Sequence, residues 1–457
     1  MTAPSPVPRQ RGRFGRVVGA SIIGTTVEWY DFFLYGSAAA LVFGPLFFPD
    51  SSDFAGVLLS FATYAIGFAA RPIGALVFGH FGDRVGRKKL LVVSLLMMGG
   101  ATFAIGLLPT YATIGAAAPL LLVLLRLVQG FALGGEWGGA VLIVSEHGRP
   151  EHRGFWASWP QAGAPAGQLL STGVLAVLAA FQSDEAFAAW GWRIPFLLSA
   201  VLILVGLWVR LAVSESPVFL EAQRIAEEKA RATGAAEEAP IAVVLKRYKR
   251  EVLVAMGARI AENVAFYVLT AFTTAYLTQA LGLDASFALN ALLVASAVHL
   301  VTIPLWGALS DRVGRRPVYL FGAVGTGAWA FALFALYATE SFWLVVLGLV
   351  VGLLFHGAMY GPQAAFFAEL FGTKARYTGV SIGAQLASVV AGAPAPLIAV
   401  ALLGSFGDPT PGRVAVYVAV CAAITLAAVL SYGETRVRDL GADDAVEAAG
   451  RRSTAAV

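Results

Sequence analysis

The sequence predicts an all-α membrane protein with twelve transmembrane helices in two six-helix pseudo-repeats. Three observations lead to this fold class. The chain of 457 residues is 58% hydrophobic and 13% charged, with a mean hydropathy of +0.74, whereas soluble domains have about 25% charged residues. Its apolar residues form twelve runs near the spanning length of about 20 residues. A charged motif also recurs at half the chain length.

Each apolar run is expected to be a helix, because lipid offers no hydrogen-bond partner to the backbone. The first six spans form a predicted N-terminal bundle, residues 17–213, and the last six a C-terminal bundle, residues 251–432. A linker of residues 214–250 joins them, and residues 1–16 and 433–457 are tails. The predicted spans are residues 17–46, 54–79, 90–108, 119–145, 155–180, 191–213, 251–280, 286–309, 318–337, 342–369, 377–403 and 413–432.

The orientation of the spans follows from the distribution of Lys and Arg. These residues concentrate in both tails and in the connections after even-numbered spans, and the opposite connections contain none. The positive-inside rule therefore places both termini and the linker in the cytoplasm, with the chain in the cell membrane. The net charge of +4 is therefore explained by the topology of the chain in the membrane. Because the basic residues have this explanation, they do not indicate a nucleic-acid partner.

The repeat is most evident in two short charged segments. GHFGDRVGRKKLL at 79–91 returns as GALSDRVGRRPVYL at 307–320. A Glu and an Arg seven residues apart also occur in both halves, as Glu146 with Arg153 and as Glu369 with Arg376. Parallel six-span repeats with a binding site between them at mid-membrane are one plan of secondary transporters. The sequence therefore predicts a transporter with its site between the halves.

The DRVGR segments resemble a loop signature of the major facilitator superfamily. EWYDFFLYG (28–36), RLVQGFALGGEWGG (126–139) and WGWRIPF (190–196) are similar to its metabolite:proton symporter branch, which includes shikimate, 2-oxoglutarate, citrate and proline/betaine permeases. The resemblance implies the major facilitator fold and transport by alternating access. It also implies that charges near helix ends lock and release the two halves, with positive-inside anchoring as the alternative for the Arg residues. The predicted gating residues are Arg71, Asp83, Arg84, Arg87, Glu146, Arg153, Asp311, Arg312, Arg315, Glu369 and Arg376.

Two acids occur in the middle of the first span. Glu28 and Asp31 are three residues apart and share a helix face, which Tyr35 extends. From a rise of 1.5 Å per residue, Asp31 and Arg126 lie ~9 Å and ~10 Å below the outer edge of the membrane, so we expect them to be neighbours. Charged groups inside a membrane are functional by default. A purely structural ion pair is the alternative.

Further polar residues lie in other spans. Arg71 and Glu136 form a second candidate pair nearer the cytoplasm, with a structural role as the alternative. His299 and His356 are interpreted first as helix-packing residues, with a proton relay as the alternative. The predicted substrate-binding residues are Tyr35, Arg126, Arg259, Glu262, Asn263, Tyr267, Tyr360 and Gln363.

These observations predict a monomeric, proton-coupled symporter that imports a small organic acid or zwitterion, with a shikimate-like carboxylate as the leading candidate. Asp31 is the first candidate for the proton, followed by Glu28 and Glu136. Protonation of the acid would free Arg126 to bind a carboxylate through its fork of donors. No cofactor is expected, since metal-ligand and nucleotide-loop patterns are absent from the sequence. The alternatives are an exporter of the same fold and, outside this class, a membrane receptor, sensor or enzyme.

Overall fold

A computed structural model of the protein describes residues 11–85, 87–134, 144, 150–212, 240–436 and 438. Every regular element in these ranges is helical. Nine of the helices described there are long and apolar enough to cross a membrane, and Val92–Leu107 and Ala117–Leu133 are shorter apolar helices. The first helix, which contains Glu28 and Asp31, is not among the nine.

We call residues 11–212 the N-terminal part and residues 240–438 the C-terminal part. Short helical segments at Phe43–Phe47, Tyr111–Ile114, Pro150–His152 and Phe187–Gly191 lie between the main helices of the N-terminal part. Its main described helices are α1 (Arg11–Leu41), α2 (Asp53–Ala69), α3 (Arg71–Val85), α4 (Arg87–Leu107), α5 (Ala117–Leu133), α6 (Arg153–Phe181) and α7 (Arg193–Ala212).

Two helices of the C-terminal part continue through wider π-helical turns. α9 runs on through Val268–Phe272 and Tyr276–Ala280, and α13 runs on through Ser388–Gly392. The main described helices of this part are α8 (Pro240–Arg247), α9 (Lys249–Tyr267), α10 (Ala285–Val313), α11 (Arg315–Tyr337), α12 (Phe342–Leu370), α13 (Thr373–Ala387), α14 (Ala395–Leu403) and α15 (Pro411–Leu430).

These helices confirm the predicted all-α membrane fold, and most predicted span ends are correct to within a few residues. Span 2 consists of two helices that meet at Ala70, and span 11 is interrupted near Pro394. The end of span 4, from Gly135 onward, lies almost entirely outside the described residues. In the predicted linker, α8 is described and residues 214–239 are not.

The two parts of the chain meet most extensively where α10 packs on α6. A Cβ atom at Gly154 would lie 2.6 Å from the Gly307 carbonyl oxygen, and one at Gly307 would lie 2.6 Å from the Gly154 oxygen. Only glycine allows this backbone contact. It lies at the end of the bundle that holds Arg153, Asp311, Arg315 and Glu369, which we call the charged end.

The parts also touch at the opposite end of the bundle. The rings of Phe54, at the start of α2, and Phe406, after α14, are 5.3 Å apart between centroids. Because the two parts are in contact at both ends, the structure is a closed arrangement with the centre of the interface between them.

Candidate functional site

Two small cavities lie at the centre of the molecule. The first, of about 10 Å³, is lined by residues of α1 to α5, and the second, of about 20 Å³, lies between the two parts. Each has room for one or two water molecules and none for a metabolite. Arg71 and Leu133 line both. The other residues of the first are Asp31, Phe32, Gly67, Met98, Arg126, Gln129 and Gly130, and those of the second are Glu28, Trp29, Arg259, Ala384, Gln385 and Ser388.

Asp31 and Arg126 line the same cavity but do not form a direct ion pair. No nitrogen of Arg126 lies within 4.0 Å of an Asp31 oxygen. Arg126 Nη1 instead donates to Gln129 Oε1 at 2.8 Å, and Gln129 Nε2 donates to Thr102 Oγ1 at 2.7 Å. Thr102 in turn interacts with the Asp31 carboxyl group. Gln129 and Thr102 therefore lie between the two predicted neighbours, and the Thr102 hydroxyl itself donates to the Met98 carbonyl oxygen at 3.0 Å.

Gln129 and Thr102 are not among the residues predicted from the sequence, although the sequence holds a signal for one of them. Gln129 follows Arg126 by three residues, which puts both on one face of α5. Thr102 belongs to α4, and its contact with this face depends on how the two helices pack.

The described direct contacts of Arg126 are with neutral groups. Its Nη2 donates to the Tyr64 carbonyl oxygen at 3.3 Å, and its guanidinium carbon lies 4.0 Å from the centre of the Tyr35 ring. Among the described residues, no carboxylate oxygen lies within 4.0 Å of this guanidinium. Its side chain is 2% exposed, so a cation is held almost out of contact with solvent against aromatic rings and amide groups.

Arg71 lies at the junction of the two cavities. We expected a gating role for it, but its guanidinium does not belong to the described ion pairs of the charged end. It lies 3.9 Å from the Phe68 ring centre and 4.9 Å from that of Phe32. Glu28 interacts electrostatically with Arg71 and lines the second cavity with it. The structure thus groups Arg71 with the central residues.

A polar chain extends from the second cavity into the C-terminal part. Arg259 Nε is 3.6 Å from Glu262 Oε2, which also accepts a hydrogen bond from Gln363 Nε2 at 3.1 Å. Glu262 Oε1 is 3.2 Å from His356 Nε2, and His356 Nδ1 is 3.0 Å from His299 Nε2. The two histidines, interpreted from the sequence first as packing residues, are therefore hydrogen-bonded to each other and to an acid.

The predicted substrate-binding residues are only partly brought together. Arg126 and Arg259 line cavities, whereas the Asn263 amide donates to the Arg259 carbonyl oxygen on its own helix at 3.0 Å. The Tyr35 hydroxyl is 2.6 Å from Thr63 Oγ1. In this closed arrangement, the predicted residues that line neither cavity are Tyr35, Glu262, Asn263, Tyr267, Tyr360 and Gln363.

Tyr267 inserts its ring from the C-terminal part into an aromatic cluster of the N-terminal part. Its ring centroid is 5.8 Å from that of Phe32, 6.0 Å from that of Tyr64 and 5.8 Å from that of Phe68. All three of these rings also contact arginines of the first cavity. The ring therefore closes the interface directly beside that cavity.

At the charged end, an ion-pair network joins the two parts. Arg153 Nη1 is 3.0 Å from Glu369 Oε1, and Arg315 Nη2 is 3.2 Å from the same oxygen. Arg315 Nη1 also contacts Asp311 Oδ1 at 2.6 Å. All four side chains are buried. Four predicted gating residues thus meet in one cluster.

Acidic side chains also cap helices at this end. The Asp311 carboxylate accepts the backbone N–H groups of Gly154 and Phe155 at 2.8 Å each, so an acid of α10 caps the N-terminus of α6. Glu434 caps α11 in the same way, through the N–H groups of Arg315 and Arg316. Both caps satisfy donors that a helix leaves unpaired in its first turn.

The remaining predicted gating residues have other positions. Arg376 donates to the Ala368 and Phe371 carbonyl oxygens at 3.0 and 3.2 Å, and Arg312 is exposed at the end of α10. The side chains of Asp83, Arg84, Arg87, Glu136 and Glu146 lie outside the described part of the structure.

Comparison with known proteins assigns the chain to a family. A family model described as "Sugar (and other) transporter" matches residues 17–444. The chain belongs to this transporter family, within the major facilitator superfamily. It is therefore a multi-pass membrane transporter and not an enzyme.

Several transporters of this family match nearly the whole chain. The shikimate transporter of Escherichia coli (strain K12) is 42% identical over 406 residues, covering 89% of this chain and 91% of its own length. The inner membrane metabolite transport protein YhjE of the same organism is 42% identical over 432 residues, with 93% and 95% coverage. A proline/betaine transporter of Salmonella typhimurium is 32% identical over 430 residues, with 94% and 85% coverage.

Solved structures share the fold. The major facilitator proton:xylose symporter XylE, bound to 6-bromo-6-deoxy-D-glucose, superposes with a TM-score of 0.72 at 17% identity, covering 94% of this chain and 98% of its own. XylE from E. coli in a partially occluded inward-open conformation gives 0.69 at 19% identity, covering 94% and 100%. At this identity the similarity establishes the fold alone, which agrees with the prediction.

Proposed function

We propose that this transporter is a proton-coupled symporter that imports a small organic acid of the shikimate type. The observation on which the proposal rests is the environment of Arg126. This buried guanidinium lines a central cavity, and its described partners are an amide, a carbonyl group and aromatic rings. A buried cation without a counter-ion is costly, and an incoming carboxylate would supply one in a bidentate geometry that suits Arg.

The charge balance of the site supports coupling to a proton. Its described charged groups are three arginines, Arg71, Arg126 and Arg259, and three acids, Glu28, Asp31 and Glu262. The set is formally neutral when every group is ionised. A bound carboxylate would add one uncompensated negative charge in a medium of low dielectric constant. One proton removes that charge, and Asp31 is the first candidate to bind it, followed by Glu28. The substrate acid and the proton therefore bind together at lower cost than the substrate acid alone.

The aromatic groups favour an acid over a quaternary ammonium compound such as betaine. Aromatic rings can bind such cations. Here, however, the Tyr35 and Phe68 rings already contact the guanidinium groups of Arg126 and Arg71. A substrate cation would have to displace these arginines. The 42% identity to a shikimate transporter, against 32% to a proline/betaine transporter, points the same way.

The proposed orientation places the charged end and both termini in the cytoplasm, in accordance with the positive-inside rule. The substrate then enters from the opposite end, past Phe54 and Phe406, and leaves when the Arg153–Glu369 network opens. The proton gradient is the proposed driving force, so the proposed transport cycle needs no cofactor, and we propose that the protein acts as a monomer.

Transport by the purified protein in proteoliposomes tests this proposal. An inward proton gradient should drive accumulation of radiolabelled shikimate, and a protonophore should abolish it. Arg126→Lys keeps the charge but loses the fork of donors, so we expect shikimate affinity to fall by about tenfold to a hundredfold. Arg413→Lys is the matched control, because Arg413 is exposed at the start of α15, and it should transport like the wild type.

Each opposing result has a distinct meaning. Accumulation of proline or betaine but not of shikimate would show that the substrate is a zwitterion rather than an organic acid of the shikimate type. Substrate moving out as protons move in would identify the exporter alternative. Wild-type affinity in Arg126→Lys would contradict a role for Arg126 in binding a carboxylate.

A further inference from the structure

Glu262, His356 and His299 form a buried hydrogen-bonded chain that the proposed function does not use. Glu262 belongs to α9, His356 to α12 and His299 to α10, and their exposed fractions are 3%, 1% and 1%. The Glu262 Oε1 to His356 Nε2 distance is 3.2 Å, and the His356 Nδ1 to His299 Nε2 distance is 3.0 Å. Every link is thus short enough for a hydrogen bond.

The carboxylate fixes the direction of these hydrogen bonds. Gln363 Nε2 donates to Glu262 Oε2, and Arg259 lies beside the same oxygen, so the ionised form of Glu262 is stabilised. An ionised carboxylate only accepts, so the proton of the first link is on His356 Nε2. With both imidazoles neutral, His356 accepts through Nδ1, and the donor of the second link is His299 Nε2. Both rings are therefore in the Nε2–H form.

One polar atom of this chain remains unsatisfied. His299 Nδ1 is buried and has no hydrogen-bond partner among the described residues. In the Nε2–H form it holds a free lone pair. Buried polar atoms are rarely left without a partner. The end of the chain is thus a vacant acceptor, two hydrogen-bonded links from a carboxylate.

We propose that this chain is a second proton-binding site, in which a proton accepted at His299 Nδ1 is delivered to Glu262. As Nδ1 binds the proton, the proton on His299 Nε2 moves to His356 Nδ1. The proton on His356 Nε2 then moves to Glu262 Oε1. The final state has a neutral carboxyl group and two neutral imidazoles in the Nδ1–H form. Glu262 now donates to His356, and His356 donates to His299, so one proton is added and every link is kept.

Other ionisable groups surround this chain, and they set its charge balance. Arg259 is the cation nearest to Glu262. The phenol groups that interact electrostatically with Glu262 come from three helices and are neutral donors at physiological pH. These phenols are Tyr267 of α9, Tyr319 of α11 and Tyr360 of α12. The ring of Phe266 covers the chain, with its centroid 4.9 Å from that of His356 and 6.2 Å from that of His299.

Protonation of Glu262 would act on the second cavity through Arg259. Arg259 lines that cavity, and its Nε lies 3.6 Å from Glu262 Oε2. Once Glu262 is neutral, its attraction for Arg259 is lost, and the guanidinium attracts an anion in the cavity more strongly. This step rests on the proposed function. It assigns to the C-terminal part a proton that is separate from the one on Asp31.

The tautomer switch can be tested without a substrate. The full chain, labelled with ¹⁵N-histidine and placed in lipid nanodiscs, is titrated and followed by NMR, which distinguishes the two neutral tautomers from imidazolium. His299→Asn and His356→Asn assign the signals among the five histidines of the chain. We expect the two rings to change together from Nε2–H to Nδ1–H on acidification, without forming imidazolium.

Glu262→Gln should abolish this joint switch, because the amide cannot take the proton. His152→Asn is the control, since His152 is exposed at the start of α6, and it should leave the switch unchanged. Independent titration of the two rings to imidazolium, or a switch that persists in Glu262→Gln, would overturn the proposal.

Coupling to transport is measured separately in proteoliposomes with radiolabelled shikimate. His299→Asn should lower proton-driven accumulation about tenfold and leave counterflow exchange near the wild-type rate. Wild-type accumulation in this variant would refute the coupling step. If the wild type itself shows no proton-driven accumulation, the proposed function fails, and the NMR titration still decides whether the chain binds a proton.

Discussion

Arg153 of α6 and Glu369 of α12 connect the two parts of the transporter, with 3.0 Å between Nη1 and Oε1. Glu369 also forms an ion pair with Arg315 Nη2 at 3.2 Å and accepts a hydrogen bond from the Thr435 hydroxyl at 2.7 Å. A single carboxylate thus binds groups from α6, from α11 and from the segment after α15. Opening the charged end requires that Arg153 leave it.

Replacing this carboxylate should favour the open charged end. Glu369→Gln leaves the buried Arg153 without its described anion and leaves Arg315 with Asp311 alone. Breaking a buried pair in this way costs about 3–5 kcal/mol. We expect faster modification by a membrane-impermeant maleimide of a cysteine at Ala157, on α6 near the charged end, in inside-out vesicles. Cys421, the only native cysteine, is first changed to Ala. Glu340→Gln, at an exposed position after α11, is the control. Equal modification rates in both variants would contradict the inference that the Arg153–Glu369 ion pair keeps the charged end closed.

Asp31→Asn should separate exchange from accumulation. The amide keeps the shape of the side chain but cannot exchange a proton, so proton-driven uptake of shikimate should be lost while counterflow exchange continues. Asp408→Asn is the control, since Asp408 is exposed in the connection after α14. The comparison uses one proteoliposome preparation for both assays. If proton-driven accumulation persists in Asp31→Asn, an acid other than Asp31 couples proton and substrate transport.

Gly130 should not tolerate a side chain. A methyl group there would collide with the Gly67 carbonyl oxygen, because α5 and α2 cross with their backbones in contact. Gly130→Ala should therefore destabilise the protein by about 1–3 kcal/mol or more, seen as a lower Tm in detergent. Gly100→Ala is the matched control, since no atom lies within 4 Å of that added methyl group. Its Tm should be unchanged or higher, and a similar loss in both variants would contradict the packing argument.

Glu434 should contribute a pH-dependent part of the stability. Partial burial disfavours its charge, but backbone N–H groups of Arg436, Arg315, Arg316 and Thr435 outweigh this and hold the pKa of Glu434 below its usual value. A lowered pKa in the folded protein means that the stabilisation is complete above the unfolded pKa, about 4.3. It is lost as the pH falls through the folded value.

The Tm difference between wild type and Glu434→Gln should accordingly be largest near pH 7 and should shrink as the pH falls below about 4.3. Thermal unfolding of the purified proteins across this range measures it. Glu340→Gln, scanned in parallel, corrects for general acid effects. A difference that is constant with pH would show that the hydrogen bonds of Glu434 do not depend on its charge.

The sequence was sufficient to predict the helices, because lipid demands long apolar segments with internally bonded backbones. It was less informative where a helix changes geometry. The predicted span 377–403 reads as one apolar run, yet the π-helical turn at Ser388–Gly392 and Pro394 divide it. The length of an apolar run indicates that a segment crosses the membrane, but it does not indicate the local geometry of the backbone.

The candidate site was predicted in part, for a related reason. Counting residues along a helix gives depth, and depth correctly brought Asp31 and Arg126 to one cavity. It does not give rotation about the helix axis or the packing of a third helix, so it could not show Gln129 and Thr102 between them. The contact of Glu262 with His356 spans 94 residues of sequence, and only the crossing of α9 and α12 reveals it.

The ring of Tyr267, set among Phe32, Tyr64 and Phe68, has a further consequence for the choice of ligand. The central cavities hold only water-sized volumes while this ring is in place, so room for a substrate exists only after it withdraws. Closure around the substrate then requires the ring to move back toward Phe32, Tyr64 and Phe68 as far as the bound substrate allows. A compound that binds Arg126 but is too bulky to let Tyr267 return would occupy the site without being carried across. Bulky analogues of the substrate should therefore act as competitive inhibitors of this transporter.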